Sequence, residues 1–369
     1  MKIMHITHTD VTDDSRIEKE IEALLNLDDA SLYSFSVKSQ NFSQEKLHSD
    51  VTYKIIDSKV SRIKRFPRSL KHIAKMLELS FWIVWKGLSI RPKVIHAHDT
   101  LVLPAATVLA MILSADLIYD AHELESNKNG QSNFMRLGTK LLEKLCWWRV
   151  DAFITVSSSI RDWYFTNFSP KKNAIVLNSP VLSTSGESHL RSRFGISEDS
   201  LVFIYIGYLS KGRGIENTLA AFEGYQGARH LVFLGSGDLE PLVKAYSAKN
   251  NNIHHHPPVA HDEVVKFARG ADVGLCVIEN VSLSDYYCLP NKLFEYAFSG
   301  LKIIGSDFPE INKVIAEYDL GLVVDGSVES LKAAIFQFES VMDSDDVKDL
   351  SGLTWNSQEN RLRDLYASL

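Results

Sequence analysis

"YIGYLSKGRGIENTLAAF" (205–222) runs from an apolar strand through a glycine-rich turn carrying Lys211 and Arg213 into a helix. A strand that feeds a helix through a tight turn is the repeating unit of a parallel sheet. Glycines let a backbone approach phosphate oxygens closely, and the helix start adds unpaired N–H groups and dipole charge. A guanidinium placed there binds phosphate through two parallel hydrogen bonds. The turn lacks the Gly-Lys-Ser/Thr of a Walker loop, and no GxGxxG follows the first strand, which argues against a dinucleotide cofactor. The competing reading is a solvent-facing turn with incidental charges.

The same alternation extends in both directions. "KIMHITH" (2–8), "KVIHAH" (93–98), "DLIYDAH" (116–122), "AFITVS" (152–157) and "AIVLNS" (174–179) read as strands, with helical patterns at 16–27, 69–89, 101–114 and 134–149. "PVLSTSGESHLRSRFG" (180–195) breaks the rhythm. A second strand series then follows at 201–209, 230–237, 252–258, 273–278, 302–307 and 321–325. The expected fold class is α/β: two tandem doubly wound (Rossmann-like) parallel-sheet domains, 1–180 and 196–353, joined by a linker at 181–195 and facing a central cleft.

Bulk properties agree with this division. At 369 residues the chain exceeds what one core usually serves. Its 45% hydrophobic and 23% charged content is that of a globular protein, and a net charge of −6 gives no reason to expect nucleic acid as partner. Cys146, Cys276 and Cys288 lack CxxC or metal-ligand spacing, which suits buried thiols in a reducing cytoplasm. "MKIMHITHTD" is too short and polar for a secretory signal and reads as a core strand. No uncharged run is long enough to span a bilayer; the nearest, 77–90, is interrupted by Glu78 and Lys86.

Polar residues collect where strands end: His8-Thr9-Asp10, His98-Asp99, His122-Glu123, Ser157-Ser158, Gly235-Ser236-Gly237-Asp238 and Ser306-Asp307. Each alone is explained by helix capping. Their recurrence in both halves favours a ligand cleft beyond the carboxyl ends of two sheets.

"LPNKLFEYAFSG" (289–300) mixes two signals. Leu293, Phe294, Ala297 and Phe298 recur at helical spacing, and Pro290 suits the first turn. Lys292 so near a helix N-terminus opposes the dipole, a conflict that an anionic phosphate removes. A carboxylate such as Glu295 suits two ribose hydroxyls; an exposed Lys–Glu pair is the competing reading.

The histidines offer a metal reading, and it is disfavoured. His254, His255 and His256 alternate across a strand, and His96 and His98 share a face but have no apparent third ligand, so hydrogen-bonding roles are expected and no metal. No GxSxG serine elbow occurs. The stretch 59–76 carries Lys59, Arg62, Lys64, Arg65, Arg68, Lys71 and Lys75, followed by Phe81, Trp82 and Trp85. Such a basic, aromatic run over 59–85 suits an anionic membrane surface; a solvated helix with aromatics in the core is the alternative.

Through "YIGYLSKGRGIE", "FLGSGDLE", "PNKLFEYAFSGLKIIGSDFPEI" and "TWNSQENRLRDLY", the chain resembles the GT-B glycosyltransferases, in particular the retaining group of family 4, over nearly its whole length. The resemblance implies an N-terminal acceptor domain, a C-terminal nucleotide-sugar domain, and a last helix at 354–369 crossing back to the first. It implies Arg213 and Lys292 at the donor diphosphate, Glu295 at the ribose, and His122 near the transferred sugar. Gly207, Gly235, Gly237, Tyr287, Leu289 and Asn291 fall on the donor side, and Asp14, Arg16, His98, Asp99 and Glu123 on the acceptor side. There are departures. Tyr287 stands where the family motif has its first Glu, and Tyr208 replaces the basic residue that opens the phosphate loop. "THTDVTDDSRIEKE" (7–20) stands in place of a Gly-Gly loop.

The implied activity is metal-independent, retaining transfer of a sugar from a nucleoside-diphosphate sugar to a glycan or lipid-linked acceptor, with no cofactor. It implies a place in bacterial surface polysaccharide or glycolipid synthesis, in the cytoplasm or at the inner face of the membrane. Two rivals share the architecture: a nucleotide-sugar 2-epimerase using His122, Glu123 and Asp99 as acid and base, and a non-catalytic scaffold, suggested by Tyr287.

Overall fold

Short apolar runs become central strands because a parallel sheet buries both of its faces under crossover helices. In the computed structural model every residue of "VIHAH" (94–98) is buried. The structure describes all residues except 26, 28, 29, 40, 41, 61, 62, 64–66, 182–187, 224, 226, 227 and 339–348. Arg62, Lys64 and Arg65 of the basic stretch thus lie outside the described residues. The chain divides into two compact units, Met1–Val176 with Glu359–Leu369, and Leu177–Gln358.

The first unit holds β1 (Lys2–Ile6), α1 (Ser15–Leu25), β2 (Ser31–Val37), β3 (Val51–Ile56), α2 (Arg68–Ile90), β4 (Val94–His98), α3 (Leu103–Leu113), β5 (Asp116–Ala121), α4 (Asn133–Trp147), β6 (Ala152–Thr155), α5 (Ser158–Asn167) and β7 (Lys172–Ile175). Its seven strands run in the order β3-β2-β1-β4-β5-β6-β7, with parallel pairing throughout. β2 and β3 are additions to the strands expected from sequence. "SLYSFSV" alternates serine with apolar residues, yet Ser34 and Ser36 are buried between neighbouring strands. From β1 the chain steps one way along the sheet, and from β4 the other way. Right-handed crossovers therefore put α1 on one face and α2, α3 and α4 on the opposite face. α2 and α3 pack closely where Gly87 leaves room for the Leu109 side chain.

The second unit contains α6 (Leu190–Phe194), β8 (Leu201–Ile206), α7 (Ile215–Phe222), β9 (Arg229–Leu234), α8 (Glu240–Ser247), β10 (Ile253–His256), α9 (Val264–Ala268), β11 (Val273–Cys276), α10 (Leu283–Tyr286), α11 (Asn291–Phe298), β12 (Lys302–Ser306), α12 (Pro309–Tyr318), β13 (Gly321–Val324) and α13 (Val328–Gln337). The strand order is β10-β9-β8-β11-β12-β13. Part of the stretch expected to be linker is built into this unit. Leu190 is fully buried, Ser188 Oγ donates to the Phe267 carbonyl at 2.9 Å, and Arg191 Nη2 pairs with Asp272 at 2.9 Å. A last helix, α14 (Trp355–Ala367), enters the first unit from Glu359 onward.

Each sheet reverses its strand order at one point, between β1 and β4 in the first unit and between β8 and β11 in the second. A crevice opens beyond the carboxyl ends at such switch points. Both groups of candidate residues sit there.

Candidate functional site

In the second unit the strands expected over 201–209 and 230–237 end at Ile206 and Leu234, which leaves Gly207, Gly235 and Gly237 in loops beyond them. Those loops are laced together. Gly207 N–H donates to the Leu234 carbonyl at 3.0 Å, Leu209 N–H to Ser236 at 2.9 Å, and Leu239 N–H to Leu209 at 2.8 Å. Gly235 has φ of 154°, and a Cβ there would lie 1.9 Å from the Gly207 carbonyl oxygen. α7 then begins at Gly214, a cap residue with no side chain to accept from the first N–H groups.

α11 is fixed to this edge by Tyr296. Its buried hydroxyl accepts from Ile206 N–H at 2.8 Å and donates to the Leu275 carbonyl at 3.3 Å, and its ring lies over Gly274. This anchoring buries Lys292 and Glu295 along with the apolar face. Lys292 Nζ stands 3.8 Å from the centroid of the Tyr205 ring and has no hydrogen-bond partner among the described residues. An aromatic face attracts an ammonium but does not replace an acceptor. Arg213, about two-fifths exposed, pairs with buried Asp285 at 3.4 Å. Burial pushes the Cys276 thiol up to about 11, against the pull of Lys292 and Arg213 and with the push of Glu295. Leu289 is buried, Asn291 opens α11, and Tyr287 closes α10 with its ring against Tyr286.

In the first unit the switch point is occupied by a buried polar network. His5, His96 and His98 stack from β1 and β4, with His96 and His98 ring centroids 4.2 Å apart. His5 Nδ1 and His98 Nε2 are 3.0 Å apart, and His98 Nδ1 and His122 Nε2 are 3.3 Å apart. Arg16 on α1 reaches Asp120 at 3.1 Å, Glu20 at 3.0 Å and the Val176 carbonyl at 2.8 Å. Tyr366 from α14 meets His96 Nδ1 at 2.8 Å. Asp99 holds a left-handed backbone, φ 65°, an uncommon conformation that recurs at functional sites.

Of the residues expected on the acceptor side, Arg16 and His98 are buried, and their side chains meet Asp120 and His122. Asp14 Oδ1 accepts from the N–H groups of Arg16 and Ile17, starting α1, although Asp14 also lines a 410 Å³ depression with His8, Asp10 and Ser39. A third and fourth ligand do exist beside His96 and His98: Glu20 and Asp120 bring one donor atom each within 4.8 Å of the others. That donor set suits a divalent ion, but the Arg16 guanidinium already supplies positive charge to both carboxylates. Glu123 is half exposed and 3.7 Å from Lys128. Capping explains Asp10 and Ser157, whose side chains accept from Thr12 and Ile160. His254 and His255 take separate partners, His230 and the Gly235 carbonyl.

Asp285, His5, Glu20 and Asp120 join these sites without having stood out in the sequence. Two of them left a signal: Glu20 lies one helical turn after Arg16, and Asp120 lies two residues before His122, on one side of the chain.

Protonation follows from these contacts. Burial lowers the basicity of His122, but the Asp99 and Asp120 carboxylates outweigh it and raise the group to about 10. Burial, then the neighbouring His98, holds His96 down to about 3. His122 gains its proton-linked stability fully below its unfolded value of 6.5 and loses it as pH rises through 10. The urea midpoint of the wild type should fall more steeply between pH 7 and 10 than that of His122→Gln. Parallel pH profiles contradict the assigned charge.

Two doubly wound parallel sheets with helices on both faces, each with a polar switch point, define the GT-B class of folds. Residues 200–339 match the family model of glycosyl transferases group 1. No curated protein sequence matches the chain. Among solved structures it is similar to sucrose-phosphate synthase from Thermosynechococcus elongatus, at 15% identity and TM-score 0.79, covering 100% of this chain and 98% of that one. It is similar to Anabaena HepE in complex with UDP-glucose, at 13% identity and TM-score 0.76, covering 100% of both chains. The lipopolysaccharide outer core galactosyltransferase WaaB shares 14% identity at TM-score 0.68, covering 100% of this chain and 99% of that one. At such identities the likeness carries the fold alone.

Proposed function

We propose that the protein is a retaining glycosyltransferase that moves a sugar from a nucleoside-diphosphate sugar to an acceptor hydroxyl. The observation that carries this reading is Lys292: a buried ammonium without an acceptor among the described residues, at the ligand edge of the sheet in the part of the chain that matches the transferase family. A diphosphate there removes the cost of an unpaired buried charge. The Gly207–Gly214 loop and the open start of α7 supply N–H groups, and Arg213 a second cation. Glu295 takes the ribose hydroxyls, and Tyr287, with Leu289 and Asn291, lines the sugar side. UDP-glucose, the ligand of HepE, is the first donor to try.

As the bond from the anomeric carbon to the β-phosphate oxygen breaks, negative charge grows on the diphosphate. Fixed cations aimed there stabilise the transition state more than the ground state, so a metal need not carry that charge. The acceptor oxygen bonds to the same face of the sugar, and its proton passes to the departing phosphate oxygen. In the first unit, Asp99 and Glu123 serve the acceptor, with the His122 imidazolium beside Asp99. The acceptor is a glycan or lipid-linked sugar of the kind used in surface polysaccharide or glycolipid assembly.

Incubation with nucleotide sugars, with and without glycan acceptors, tests this by mass spectrometry. Transfer products or slow donor hydrolysis support it. Conversion to a new nucleotide sugar without acceptor contradicts it in favour of an isomerase. Glu295→Ala should weaken nucleoside binding about ten- to a hundred-fold, the range for hydrogen bonds to a charged group. Titration calorimetry measures this, and unchanged affinity removes the ribose role.

A further inference from the structure

The side of α2, α3 and α4 turned away from the sheet of the first unit is apolar. Along α2, Leu70, Ile73, Leu77, Phe81 and Trp85 recur every three or four residues at 51% to 66% exposure, opposite the buried Leu79, Ile83 and Ile90. α4 repeats the pattern with Leu137, Leu141, Leu145 and Trp148, 54% to 69% exposed. Between them α3 carries no charged residue and exposes Met111 and Ile112. Monomeric globular proteins rarely leave so many large apolar side chains together in water.

The charges around this face have one sign. α2 and α4 bring Lys71, Lys75, Lys86, Arg136, Lys140 and Lys144, on a chain whose net charge is −6. Their two acids are withdrawn. Glu78 accepts from Ser58 Oγ and from the N–H groups of Lys59 and Val60. Glu143 is buried beneath the hydroxyls of Thr100, Tyr119 and Tyr164. A two-fold contact between copies would set these cations against each other. Among the described residues no helix is long and apolar enough to cross a membrane.

We propose that this face rests on an anionic lipid surface, with α2 and α4 in its plane and their leucine and aromatic side chains at the boundary between headgroups and acyl chains. Sequence pointed to 59–85 alone; α3 and α4 widen the surface and supply much of its apolar area. The inference rests on exposure and charge and does not depend on the transferase reading.

The test is flotation of the full chain with vesicles of phosphatidylglycerol and phosphatidylethanolamine, and with vesicles of phosphatidylcholine. The wild type should float with the anionic vesicles, less so at high salt. Trp85→Glu and Leu141→Glu should each lower the partition coefficient at least about tenfold. Lys75→Glu with Lys144→Glu should lower it about tenfold on the anionic vesicles only. Unchanged thermal midpoints establish that these surface variants fold. A wild type that stays with the aqueous phase overturns the proposal, as do variants that float like the wild type. So does a dimer in solution that Trp85→Glu splits without any flotation.

Discussion

Lys292→Met should lower the rate of the proposed sugar transfer by about a hundred- to a thousand-fold, the loss typical of removing one charge-stabilising donor from an active site. Methionine keeps the apolar stem over Tyr205 and removes only the ammonium, whose Nζ has no acceptor among the described residues. The charge is buried, so solvent screens it little, and its effect on a growing oxyanion is correspondingly large. Arg213→Ala should cost less, because that guanidinium is partly exposed and already shared with Asp285. Steady-state assay of released nucleoside diphosphate measures both. A Lys292→Met enzyme within threefold of wild type, folded by circular dichroism, removes the charge from the mechanism.

Gly235→Ala should destabilise the second unit by at least about 2 kcal/mol and abolish nucleotide binding. The new methyl group would lie 1.9 Å from the Gly207 carbonyl oxygen, so backbone and not a pliable side chain must give way. Gly207 in turn hydrogen-bonds Leu234, and the next loop contacts run through Leu209 and Ser236, so the displacement reaches the turn expected to cradle phosphate. Gly300→Ala is the matched control. It too has positive φ, 77°, but its Cβ meets nothing within 4 Å. It should cost only about 1 kcal/mol and leave binding intact. Urea denaturation and calorimetry compare the two. Equal effects would mean that the loop packing has no special role.

Much of the second unit was legible in sequence. β8, β9, β11 and β12 are apolar runs because both faces of a parallel strand are covered, and the turn between β8 and α7 stands out by its glycines. Lys292 and Glu295 were singled out because a cation in a helix's first turn breaks a local rule. β2 and β3 escaped because "SLYSFSV" hides its buried serines in a weak alternation. The Arg213–Asp285 pair, the Tyr296 anchor and the assembly of His5, Glu20 and Asp120 around His96 arise from contacts between distant segments, which no local pattern encodes. The apolar face of α2, α3 and α4 was only partly visible for another reason. In a sequence, Leu141 facing water and Leu79 facing the sheet are the same letter.

The central claim is that the loops after β8 and β9 and the start of α11 bind a nucleoside diphosphate. A thermal-shift titration with nucleoside diphosphates and their sugars tests it most directly. The unfolding midpoint should rise saturably with one base, by an amount corresponding to about 2.7 kcal/mol at a hundred times Kd, and much less for Lys292→Met and Glu295→Ala. No rise with any nucleotide at millimolar concentration, or an equal rise in those variants, contradicts it.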